Sequence, residues 1–134
     1  VLISDVVNAG SLPVLSETLR MAGQRQRLLA HNIANIDTPD FRPVDVDVQG
    51  FRGELARAVR ARRARTGGEH GPLSGSPETR IRTSDRQVLY HDRNNRDVER
   101  LMQNLAENTL AFRMTTDLIR RQNDLLRTAI SQRV

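Results

Sequence analysis

The sequence predicts a mainly α protein: long N- and C-terminal helices paired as a coiled-coil hairpin, with an extended or irregular, partly mobile middle segment. Three observations lead there. Apolar residues recur at heptad spacing near both ends of the chain. Glycine and proline crowd into the middle. Only 3% of the 134 residues are aromatic, none is Trp, and 28% are charged. That composition suits helices burying narrow apolar stripes better than a compact core. The expected division is 1–39 and 94–134 for the two core helices and 40–93 for the segment between them.

The first helix is expected over residues 12–36. Leu12, Leu15, Leu19, Ala22, Gln26, Leu29, Ile33 and Ile36 alternate spacings of three and four, the seam of a coiled coil broken only by Gln26. Ser11 is the candidate N-cap, and Pro13 suits the first turn. Asn35 and Asp37 mark the end. Thr38-Pro39 then sends the chain out extended, because proline disfavours helical geometry in the residue before it.

Beyond the turn, Phe41, Val44, Val46 and Val48 alternate with polar residues, which predicts an extended stretch over 41–55 broken at Gly50 and Gly53. Leu55 to Val59 can add a helical turn. Gly67, Gly68, Gly71, Pro72, Gly75 and Pro77 predict a mobile loop over 66–79. A short strand is expected around Val88 to Tyr90.

The second long helix is expected from Asp97 to Gln132, with Asn94, Asn95 and Asp97 as candidate caps. Val98, Leu105, Phe112, Ile119 and Leu126 stand seven apart. Met102, Thr109, Thr116, Asn123 and Ile130 flank them on one side, and Leu101, Asn108, Thr115, Gln122 and Ala129 on the other. Ala111, Leu118 and Leu125 add an adjacent apolar face. This helix is longer than the first by roughly a third of its length at 1.5 Å per residue. The uncovered stripes predict other chains packed against this one, and a marginally ordered isolated subunit. Polar seam residues such as Gln26, Asn108, Thr109, Thr115 and Thr116 face solvent or form interchain hydrogen bonds; either fits the pattern.

Little here points to catalysis or metal binding. There is no Cys, so no disulfide and no thiolate site. Asp45-x-Asp47-x-Gln49-Gly50 resembles the start of a calcium loop, but the twelfth position is Ala56 where a bidentate Glu is required. His31, His70 and His91 lack metal-ligand spacing. No phosphate-cradling glycine motif, nucleophile elbow or HExxH occurs. The reading is therefore not an enzyme, with no cofactor, no metal and no catalytic residue. No apolar run reaches membrane-span length. Residues 1–10 lack the basic and apolar regions of a secretory signal. The chain opens on Val rather than Met, which leaves room for residues before it.

The net charge of +5 is local. Between Arg52 and Arg65 stand six Arg and a single acid, Glu54, and the remainder of the chain is neutral. Every basic side chain is Arg. The run is expected to be a solvated basic loop or a contact with an acidic neighbour. The alternative is a helical adaptor binding nucleic acid through Arg52–Arg65. Against it, no aromatic residue interleaves with the arginines for base stacking, and no helix-turn-helix spacing surrounds them.

Residues 25–41 read Arg-Gln-Arg-Leu-Leu-Ala-His-Asn-Ile-Ala-Asn-Ile-Asp-Thr-Pro-Asp-Phe. Leu28 or Leu29, Asn32, Ile33, Ala34, Asn35, Thr38 and Pro39 resemble the N-terminal signature of the flagellar rod, hook and hook-associated proteins. Asp40 and Phe41 stand where that signature has Gly and Tyr. Asn95 to Arg100, Ala106 to Leu110 and Leu125 to Ile130 are similar to a proximal rod member of the family. The resemblance covers the first and last thirds of the chain. It implies paired terminal helices stacked helically around a channel, and export by the flagellar type III apparatus without a cleaved signal peptide. A basal-body, periplasmic location follows, with transmission of torque. Implied partners are copies of the chain, the rod proteins FlgC and FlgF, the adapter FliE, and the export gate or membrane ring. The expected assembly seam is Leu15, Leu19, Leu29, Ile33, Val98, Leu105, Phe112, Ile119, Leu126 and Ile130.

Overall fold

The computed structural model describes residues 10–65, 73, 77–83 and 98–131. Five elements follow in order: α1 (Leu12–Ala34), β1 (Val44–Val46), α2 (Val48–Arg63), β2 (Ile81–Thr83) and α3 (Val98–Ser131). At 1.5 Å per residue α1 is about 35 Å long and α3 about 51 Å. The two pair antiparallel. Asn108 of α3 meets Ala22 and Gln26, and Gln122 lies beside Gly10.

Pro13 occupies the first turn of α1, where its missing N–H costs nothing. Ser11 stands at the N-cap position, but its side chain makes no capping bond; its carbonyl accepts from Leu15 N instead. The helix ends at Ala34, two residues short of Ile36. Asn35 closes it, its amide Nδ2 donating to the His31 carbonyl at 2.8 Å. Thr38 N then donates to Asn35 O at 3.0 Å, and Phe41 N to Thr38 O at 3.2 Å. The Phe41 ring packs back on His31, centroids 5.6 Å apart.

Asp40 completes this turn in the left-handed region, at φ 58°. An Asp side chain tolerates that backbone, a β-branched one does not. Asp40→Val is therefore expected to cost about 1–2 kcal/mol in urea unfolding, and Asp40→Gly to be neutral or better. Equal midpoints for the two variants would show that the turn relaxes without strain.

The middle segment holds more helix than the expected turn at Leu55 to Val59. α2 begins at Val48, because the Asp47 carboxylate accepts from Gly50 N at 3.0 Å and caps it. A Cβ at Gly50 would come within 2.9 Å of the Asp47 Cγ, so this glycine makes room for the cap rather than breaking the helix. Phe51 and Leu55 then bury against Met21 and Leu28 of α1 and Val46 of β1. Arg60, Arg62 and Arg63 fall in the last turn, where positive charge suits the helix dipole.

β1 and β2 form a short antiparallel pair in the register Val44↔Thr83, Asp45↔Arg82, Val46↔Ile81. The segment leading into β2 is tied to both neighbouring helices. Arg20 of α1 donates to the Pro77 carbonyl at 2.9 Å, and Glu54 of α2 accepts from Glu78 N at 2.8 Å. Glu54, the lone acid of the arginine run, thus fastens this segment to α2. The strand expected at Val88 to Tyr90, the caps at Asn94, Asn95 and Asp97, and most of the loop expected over 66–79 lie outside the described residues.

Candidate assembly interface

The signature residues build a joint between α1 and β1. Asn32 is 1% exposed. Its Nδ2 donates to Val44 O at 2.7 Å, and its Oδ1 accepts from Val44 N at 3.1 Å. The side-chain amide thereby replaces a neighbouring strand. Asp47 N bonds Arg80 O, so bonded pairs along this ladder fall at alternate residues and the Val44 groups face the other edge. Asn32 occupies that edge. Beside it Arg25 grips Asp45 with two parallel bonds, Nε to Oδ1 at 2.9 Å and Nη2 to Oδ2 at 2.7 Å. Ile33 is half-buried, while Ala34, Thr38 and Pro39 are exposed.

Both carboxylates of the apparent calcium loop are therefore engaged by the protein. Asp45 is held by Arg25. Asp47 caps α2 and pairs with Arg82 at 3.0 Å. No group of three His, Asp or Glu among the described residues could hold a metal ion. No helix among them is long and apolar enough to cross a membrane. A cleft of about 320 Å³ lies between the joint and the first turns of α3, lined by Arg25, Asn32, Asp45, Arg82, Leu101 and Asn104 among others.

In the hairpin itself, Leu29 is fully buried. Leu15, Leu19, Ile33, Leu105, Ile119 and Leu126 are half-buried. Val98, Phe112 and Ile130 are exposed to 45%, 38% and 63%. The fully buried row of α3 is Leu101, Asn108 and Thr115, one step round the helix from the row Val98 to Leu126. Asn108 lies in the seam, donating to Ala22 O at 3.0 Å and to Gln26 Oε1 at 2.7 Å. The polar seam residues Gln26 and Asn108 therefore satisfy each other within the chain, an outcome different from either expectation. Thr109, Thr115 and Thr116 donate to the carbonyl four residues earlier, as helix-interior threonines can.

A second face of α3 has no described partner in the chain. Leu110, Met114, Leu118 and Leu125 are 61%, 57%, 48% and 66% exposed. Exposed apolar residues in one line along a helix mark a protein contact more often than scattered ones do.

The sequence leads one to expect the arginine run to be a solvated basic loop or a contact with an acidic neighbour. Arg52, Arg57, Arg60, Arg63 and Arg65 are indeed exposed, but Arg62 is 4% exposed and Gly10 O accepts from its Nη2 at 2.7 Å. Its spacing from Phe51 and Leu55, eleven and seven residues, puts it on the inward face of α2. That spacing was readable once α2 was known to be a helix.

A helical hairpin whose longer arm presents an apolar stripe beyond its own partner defines a structural assembly subunit. No family model matches the chain. Individual relatives do. It is 32% identical over 119 residues to the flagellar basal body rod protein FlgB of Yersinia enterocolitica, covering 81% of this chain and 83% of that one. It is 33% identical over 108 residues to FlgB of Salmonella typhimurium, covering 73% and 76%. To FlgB of Cereibacter sphaeroides it is 32% identical over 121 residues, covering 89% and 92%. The chain belongs to the FlgB family of flagellar basal body rod proteins. It is a structural component of that rod, and the relatives give no support to a nucleic-acid adaptor.

Proposed function

We propose that the chain is a proximal rod subunit that packs helically around the export channel, joins the membrane ring and export gate to the rest of the rod, and carries torque. Its neighbours in this reading are further copies, the rod proteins FlgC and FlgF, and the adapter FliE. It reaches the periplasm through the flagellar export apparatus without a cleaved signal peptide. The observation that carries the reading is the outer stripe of α3. Each leucine covered by a neighbour gains about 1.5–3 kcal/mol, repeated at every subunit. Of the expected seam, Leu15, Leu19, Leu29, Ile33, Leu105, Ile119 and Leu126 flank the inner row Leu101, Asn108 and Thr115, while Val98, Phe112 and Ile130 are left exposed for neighbouring chains.

Leu125 is the informative residue because it is 66% exposed in the subunit. Leu125→Asp leaves the subunit's own packing alone but puts a charge into any interface there, which is costly unless paired. The variant is expected to be made and exported yet absent from recovered rods, with swimming lost. Ala106→Asp, exposed on the polar side of the same helix, is expected to swim normally. Wild-type rods and swimming from Leu125→Asp would remove this stripe as an assembly surface.

A further inference from the structure

Arg62 is buried on the inward face of α2, yet its Nε and Nη1 have no hydrogen-bond partner. Only Nη2 is engaged, by the Gly10 carbonyl. A buried guanidinium with unused donors is unfavourable, and an apolar side chain would fill that inward position without such a cost. The location adds to the case. Gly10 at the start of α1, the last turn of α2 and Gln122 of α3 converge here. From this level α3 runs on past α1, exposing Leu125 and Ile130. Arg60 stands exposed at the same helix end, with Arg57 exposed one turn before it.

We propose that this end of the molecule docks an acidic helix of a neighbouring rod subunit, one carboxylate reaching Arg62 while aliphatic residues cover Ile130. The proposal rests on the rod-subunit reading and adds to it the chemistry of one partner. The exposed arginines draw the acidic segment in, and the buried guanidinium selects the group that seats. A carboxylate on a side chain can enter a recess as the junction opens around it. The backbone of a rigid duplex cannot follow, and the outer face of α2 sets Ala56, Ala61 and Ala64 among its arginines with no aromatic residue for bases to stack on.

The test is titration of the full-length chain with poly-L-glutamate, followed by the arginine Nε–Hε resonances. The Arg62 resonance is expected to shift on addition. Arg62→Met and Arg62→Lys should each weaken binding about tenfold, the second because Lys keeps the charge but loses the planar fork. Arg52→Met, at the far end of α2, should change it by no more than about twofold. Equal weakening by the Arg52 and Arg62 variants would reduce the site to diffuse charge and overturn the proposal. So would competition by a DNA duplex that depends on Arg62, or loss of helical circular dichroism in both Arg62 variants. None of these measurements needs a rod, so they fail or succeed separately from the Leu125→Asp experiment.

Discussion

Asn32→Ala is expected to destabilise the chain by about 2–3 kcal/mol, the loss of two hydrogen bonds around a residue with almost no solvent access. The Val44 N–H and C=O lose their partner together, and the Arg25–Asp45 pair is left to tie β1 to α1. Asn32→Asp should be no milder. It keeps the acceptor for Val44 N but sets a carboxylate oxygen where Nδ2 now stands, 2.7 Å from the Val44 carbonyl. Urea unfolding measures the loss, and hydrogen exchange at the Val44 amide locates it. An Ala variant with an unchanged midpoint and a protected Val44 amide would mean that the signature asparagine does not hold the joint.

The second large effect is expected at Asn108 and Gln26. Asn108→Leu alone strands the Gln26 amide in a seam, at a cost of about 1–3 kcal/mol. Gln26→Leu with Asn108→Leu removes both polar groups. That pair should be at least as stable as the wild type but no longer confined to one alignment, since aliphatic seams accept several registers and a lone polar pair accepts one. The chain has no cysteine of its own. A Cβ at Gly23 would lie 4.0 Å from Phe112 Cε2, so cysteines introduced at Gly23 and Phe112 and joined by a short bifunctional thiol reagent report alignment directly. Intrachain cross-linking should be efficient in the Gln26/Asn108 background. In the double-leucine background it should fall, with interchain dimers appearing. Undiminished intrachain cross-linking there would show that shape alone sets the register.

Both long helices were legible in the sequence because heptad spacing is a strong, local signal that survives without knowledge of the partner. α1 ends within two residues of the expected position, and α3 is helical throughout its described residues, Val98–Ser131. Which row of α3 faces α1 was less legible. Leu101, Asn108 and Thr115 include two polar residues, so the apolar row Val98 to Leu126 outranked them on composition. The partner decides this, because Gln26 offers Asn108 an acceptor that only the paired structure reveals. α2 was missed for a different reason. Two glycines and a run of alternating valines look like a broken strand, and the Asp47 cap that starts the helix needs Gly50 where a breaker would stand. The sequence shows Asn32 only as a signature residue near the end of the expected helix. Its bond to Val44, twelve residues on, is a tertiary contact that no local pattern announces.

The Gln26–Asn108 pair has a mechanical consequence. It fixes how far α3 projects past α1, and that projection is a length standard. The threonines of α3 satisfy themselves within their own helix and contribute nothing to it. The ruler therefore has essentially one graduation. A slip of one heptad would move the tip of α3 by about 10 Å relative to α1. In a stack of identical subunits such an error would not average out. In the helical rod proposed above it would misplace the next layer by two helical turns, and the amide contact in each subunit would guard the spacing of the column.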